Sequence, residues 1–294
     1  MREIPEITAA ERRKTMNIGI RLHDTKPGTL KERLAFAKAQ GFTCAHVALS
    51  KVLDDFAMED APGKLTDEYA AAVRKDFDES GLECAVLGCY LNLTDPNPER
   101  RARTQEIYKA HLRFAPKIGA RVVGSETFAN PEMKLAEPAG QSEEAFRLFM
   151  DSLRPIVRCA EENGAVMAIE PVWNHVIATP ERAARMLEEL KSDSLQIILD
   201  AVNLIAPENA GKADEIIRNA ISLLGDRVRI LHMKDFVLTP EGKMDACACG
   251  TGSMRYDRLL AFGKVKDLPM TLENTVPDNA EAARLYLEKA AEAL

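Results

Sequence analysis

Eight times along this chain a short apolar run is followed by a segment of helical periodicity, with no break in composition between successive pairs. The runs are MNIGIRL from Met16, FTCAHVAL from Phe42, LECAVLGCYLNL from Leu82 and ARVVGSETF from Ala120. They continue with AVMAIEPV from Ala165, SLQIILDAVNLI from Ser194, RVRILHMKDF from Arg227 and LPMTLENT from Leu268. Helix signals fill the gaps. Thr66 and Thr179 stand where N-caps belong, with Pro180 at a first helical position, and Gly41, Gly81, Gly119 and Gly164 stand where helices stop. A long helix is predicted from Pro98 to Ile118. Strands that alternate with helices pair in parallel through right-handed crossovers. Eight such units filling the chain predict one closed α/β barrel of the (β/α)8 TIM type rather than an open doubly wound sheet, and barrels of this kind run to roughly 250 residues. Residues 1–15 read as an N-terminal extension and residues 16–294 as the barrel, the catalytic domain.

Composition removes several function classes. The excess of 46 acidic over 39 basic residues gives a net charge of −7, the wrong sign for a protein that grips a phosphate backbone, so no nucleic-acid partner is expected. No apolar run approaches the ~20 residues of a membrane span. The opening MREIPEITAAERRKT lacks the apolar core of a secretory signal, which predicts a cytoplasmic protein. Six scattered cysteines then read as reduced, mostly buried thiols, and Cys247-Ala-Cys249 is too tight for the usual zinc pair.

Active sites of such barrels sit at the C-terminal ends of the strands. ILHMKDF begins as a buried strand and ends in three ionisable residues, His232, Lys234 and Asp235. Burying such groups costs several kcal/mol unless they are paired or bind a metal. The same pattern closes three other runs, with Glu170 in AIEP, Asp200 in IILDAVN and Glu273 in MTLEN. One acidic residue after a strand is usually a cap or a turn residue. Four ionisable residues at successive strand ends converge on one mouth. Three carboxylates and one imidazole form a hard, oxygen-rich donor set that suits one divalent ion, with Mn²⁺ the first choice and Mg²⁺, Co²⁺ or Zn²⁺ as alternatives. Lys234 and Asp235 are expected to form a rim pair that supports His232 or contacts a substrate oxygen.

The segments IEP, LDAVN, HMKD, GTG…YD and LEN, in this order and register, resemble the sugar phosphate isomerase/epimerase family of xylose isomerase-like barrels, which includes ketose 3-epimerases and hydroxypyruvate isomerases. The resemblance covers Met16 to Leu294, and IGIRLHD and LGCYLNLTDPNPE are similar to a bacterial subgroup. It implies that Glu170, Asp200, His232 and Glu273 are the metal ligands and that Glu170 and Glu273 are the acid/base pair. Asn203 departs from the pattern, because ketose epimerases place a substrate-binding histidine three residues after the Asp. The chemistry implied is proton transfer through an enediolate, which acts on a small carbohydrate or a sugar-derived keto compound. A homo-oligomer is compatible with it.

Positions after the strands supply the substrate-binding candidates. Glu126 reads as a contact to a sugar hydroxyl or as a rim residue, and His175 as a substrate contact or a loop support. Trp173, the only tryptophan, reads as a stacking platform or as packing in the mouth. Asn203 and Lys234 complete the set, with His23, Asp24, His46, Tyr90 and Asn92 as weaker candidates. The GTG stretch at Gly250 to Gly252 reads as a tight turn or a phosphate cradle, and Arg255 as a solvated residue or an anion contact. Other readings of the same site are a lyase, or a subunit of a hetero-oligomer that cleaves glycosides. An apurinic-endonuclease-like nuclease would need more than the 5 histidines present, and a non-catalytic sugar-binding barrel would bind without turnover.

Overall fold

The computed structural model describes residues 16–128 and 140–294, so the expected N-terminal extension lies outside the described residues. Seven strands come first: β1 (Ile18–Arg21), β2 (Cys44–Val47), β3 (Glu83–Gly88), β4 (Val122–Glu126), β5 (Met167–Glu170), β6 (Leu195–Asp200) and β7 (Val228–Met233). An antiparallel hairpin follows, β8 (Asp235–Leu238) with β9 (Met244–Cys247), and then β10 (Met270–Leu272). The first seven strands and β10 pair in parallel and close into a barrel, and the seam is sealed where Ile18 lies opposite Met270. The predicted fold class is the observed one.

The helices surround this barrel. They are α1 (Leu30–Ala39), the one-turn α2 (Leu49–Val52) and α3 (Ala61–Lys64), α4 (Asp67–Ser80) and α5 (Pro98–Ile118). They continue with α6 (Glu143–Glu162), α7 (Pro180–Leu190), α8 (Ala213–Leu224), α9 (Asp257–Lys266) and α10 (Ala280–Glu292). Their ends follow the chain chemistry. The Thr66 hydroxyl accepts from Tyr69 N, Thr179 accepts from Arg182 N, and Gly81 closes α4 at φ 65°. Each such cap stabilises its helix by about 1 kcal/mol.

Side chains alternate across a strand, so every second residue faces the barrel axis. The inward set forms its own apolar layer, with Cys44, Val86, Val122, Ala168, Ile198 and Ile230 packed together and fully or almost fully buried. Two residues further along the same faces come His46, Gly88, Glu170, Asp200 and His232. The strands therefore carry an apolar plug below and a polar ring above. A second, larger cluster fills the space between the outward strand faces and the helices.

Two features were not legible as loops of the expected kind. The hairpin occupies what reads as a Gly-containing loop, and its signal is the Pro-Glu-Gly turn in LTPEGKM. Thr239 N donates to Lys243 O across that turn, and Gly242 takes φ 78°. The second is the pair α2 and α3 in the connection from β2 to α4. All six cysteines are free, with only Cys247 partly exposed. Among the described residues no helix is long and apolar enough to cross a membrane.

Candidate metal centre and active site

Glu170, Asp200, His232 and Glu273 end neighbouring strands or directly follow them, and parallel register sets them at one level. Asp200 pairs with His232, and Thr271 of β10 sits opposite His232, two residues before Glu273. All four are buried, with exposures of 1%, 0%, 1% and 6% respectively. His232 Nδ1 lies 2.9 Å from Glu170 Oε2 and 3.2 Å from Glu273 Oε1. Ligand atoms of Glu170, Asp200 and His232 fall within 4.8 Å of one another, as do those of His46, His232 and Glu273. Neither ring nitrogen of His232 makes a well-directed hydrogen bond, and Asp200 Oδ2 meets only the Lys234 ammonium. Buried polar atoms are normally hydrogen-bonded, and exceptions need a reason. Converging, underused hard donors fit a divalent ion, and the chemistry of the set agrees.

Charge is balanced locally. Burial alone would push the His232 imidazolium towards neutrality, but the Glu170 and Glu273 carboxylates outweigh it and raise its pKa to about 9. Glu273 is pulled well below the usual carboxylate range: burial opposes this, and His232, Lys234 and Arg21 prevail. Burial lifts Asp200 to about 6 against the opposing pull of Lys234.

Lys234 and Asp235, at the junction of β7 with β8, do not form the expected rim pair. The Lys234 ammonium turns into the site, 2.8 Å from Asp200 Oδ2 and 3.2 Å from Glu273 Oε2, and donates to Asn203 Oδ1 at 2.7 Å. Asp235 turns away and accepts from the backbone N–H groups of Phe236, Gly250 and Met254. The GTG stretch is thus a tight turn. Gly250 N is spent on Asp235, Thr251 N on Ala248 O and Ser253 N on Phe236 O. Arg255 is exposed and pairs with Asp257.

Asn203 is equally committed. Its Nδ2 donates to Glu170 Oε1 at 2.6 Å, its backbone N to Asp200 Oδ1 at 3.0 Å, and its backbone O accepts from Trp173 N. Trp173 itself is half-buried on the loop after β5. Glu126 and His175 lie together on one wall, with His175 Nδ1 3.8 Å from Glu126 Oε2 and the Phe128 ring against the imidazole. Burial, then repulsion from Glu170 and Glu273, raises Glu126 to about 8, and burial lowers His175 to about 4.

The facing wall holds the weaker candidates. His46 stacks on His232 with ring centres 5.3 Å apart, and its Nε2 meets Tyr90 OH at 3.2 Å. His23 stands edge-on to His46. Asn92 instead caps its own turn, accepting from Thr94 N. Arg21 escaped the sequence reading. Its guanidinium reaches within 3.4 Å of Glu273 Oε2 while forking onto Asp24. The signal was available, since Arg21 ends β1 as the other site residues end their strands.

A model of the xylose isomerase-like TIM barrel family matches residues 34–289. The chain belongs to that family. Solved structures share the fold at low sequence identity. The apo 3-keto-D-glucoside 4-epimerase YcjR from E. coli superposes with a TM-score of 0.70 at 20% identity, covering 94% of this chain and 100% of that one. A D-tagatose 3-epimerase-like protein gives 0.73 at 17% identity over 95% and 98% of the two chains. The IolI protein, solved with a zinc atom, gives 0.69 at 18% identity over 95% and 96%. No curated protein matches the chain in sequence.

Proposed function

We propose that this barrel is a divalent-metal-dependent isomerase or epimerase that moves a proton on a sugar or a sugar-derived keto compound. The observation that carries the reading is the approach of both Glu170 and Glu273 to His232 Nδ1, at 2.9 and 3.2 Å, in a buried mouth. The 3-keto-D-glucoside 4-epimerase, the D-tagatose 3-epimerase-like protein and the zinc of the IolI protein support the same class.

Glu170, Asp200, His232 and Glu273 would hold the ion, with Mn²⁺ the first choice. When bound, the ion supplies a Lewis acid that acidifies a C–H beside a carbonyl. Glu170 and Glu273 would take that proton and return one, through an enediolate of the sugar. Asn203 orients Glu170 by donating to Oε1, while Oε2 faces His232. Glu126, a carboxyl whose ionisation burial disfavours, is a polar contact for a sugar oxygen. Neutral His175 backs it, and Trp173 offers a flat apolar face for the sugar ring. Because Asn203 and Lys234 are engaged with the acids, substrate contacts fall to Glu126, His175 and Trp173.

The test is turnover in deuterated water with Mn²⁺-loaded protein on a panel of ketoses, aldoses and 3-keto-glycosides. Deuterium should appear on the carbon beside the substrate carbonyl. Turnover with complete retention of the substrate hydrogen would point to hydride shift and reject the proton-transfer reading.

A further inference from the structure

We infer that Lys234 is a built-in cation of the carboxylate site, which holds the acids together in the absence of metal and weakens the site's grip on a divalent ion. The inference rests on the metal reading proposed above and concerns how that same site is regulated.

Lys234 is 7% exposed, so its ammonium cannot be solvated in the usual way. It is held on three sides, by Asp200 Oδ2 at 2.8 Å, Glu273 Oε2 at 3.2 Å and Asn203 Oδ1 at 2.7 Å. Its own carbonyl accepts from Tyr256 OH at 3.0 Å, which fixes the backbone from which the side chain departs. A lysine ammonium is a compact charge with three donors, and here the three surrounding oxygens leave none for a substrate.

The competition is specific to one atom. Asp200 Oδ1 already accepts from Asn203 N at 3.0 Å, so Oδ2 is the oxygen left for an ion. That is the oxygen on which the ammonium sits. Three buried carboxylates need compensation in either state. Without metal the compensation comes from Lys234, His232 and Arg21. With metal, an ammonium a few ångströms from a dication repels it at low effective dielectric. The site then stays assembled when empty, and its occupancy follows metal supply.

Calorimetric titration of Mn²⁺ into chelator-stripped full-length protein tests this on wild type, Lys234→Met, Lys234→Gln and an Asp200→Ala, His232→Ala double variant. Thermal melts are recorded with and without metal. Both neutral Lys234 variants should bind Mn²⁺ about tenfold tighter or more than wild type, equivalent to about 1.4 kcal/mol. Without metal they should melt at least ~3 °C lower, and Mn²⁺ should restore the loss. A structural role alone would lower the melt without tightening the metal. Neutral variants that bind Mn²⁺ no tighter than a metal-binding wild type would overturn this inference alone. Folded proteins that all fail to bind Mn²⁺ would overturn the metal reading as well. If both variants unfold without metal, refolding on Mn²⁺ supports the inference, and failure to refold rejects it.

Discussion

Glu273 carries more of this site than any other residue, since it faces His232 with one oxygen and Lys234 and Arg21 with the other. Glu273→Gln keeps the volume and removes the base, so kcat should fall by ~10²–10⁴ while the fold survives. An unchanged kcat in a single-turnover assay would remove Glu273 from the chemistry. His232 gives a second prediction at this scale. Its pKa of about 9 in the metal-free protein means that an incoming ion must displace a proton. Apparent Mn²⁺ affinity should therefore rise about tenfold per pH unit between pH 6 and 8 and level off above 9. Titration at three pH values checks it, and a flat profile would show His232 to be unprotonated or outside the ligand set. The strand-end acids and His232 were legible because a charge after an apolar run demands a partner. Arg21, which ends β1, could have been found by the same rule, but its contact with Glu273 and that of His46 with His232 depend on rotamers that no spacing rule encodes.

Among the elements, the hairpin of β8 and β9 hangs from Asp235. Its buried carboxylate accepts three backbone N–H groups, from Phe236, Gly250 and Met254. Asp235→Ala strands those donors and should destabilise the fold by roughly 3 kcal/mol. Urea unfolding measures this, and a loss below ~0.5 kcal/mol would show that water replaces the carboxylate. The strand–helix alternation and most helix ends were readable because caps, glycine stops and Pro180 act within one turn. The hairpin was not, because Val237 and Leu238 are solvent-exposed and leave no buried run to read.

For the molecule as a whole, buried neutral histidines tie stability to pH. His111 on α5 is fully buried, its Nδ1 meets Ile107 O, and burial lowers its pKa to about 4. The unfolded chain, at about 6.5, binds the proton more readily. The contribution is thus complete above pH 6.5 and is lost as pH falls towards 4, a change on the order of 3 kcal/mol. His111→Leu should flatten that part of the stability curve relative to wild type, and parallel curves would contradict it. What ties the molecule together is the pleat, which stacks a polar ring on an apolar plug and so brings four strand ends to one point. Metal analysis of purified protein before and after chelator treatment, on wild type and on the Asp200→Ala, His232→Ala double variant, reads that point. The account predicts one divalent ion per wild-type chain, removable and restorable, and none in the variant. Equal metal content in the two proteins would contradict it.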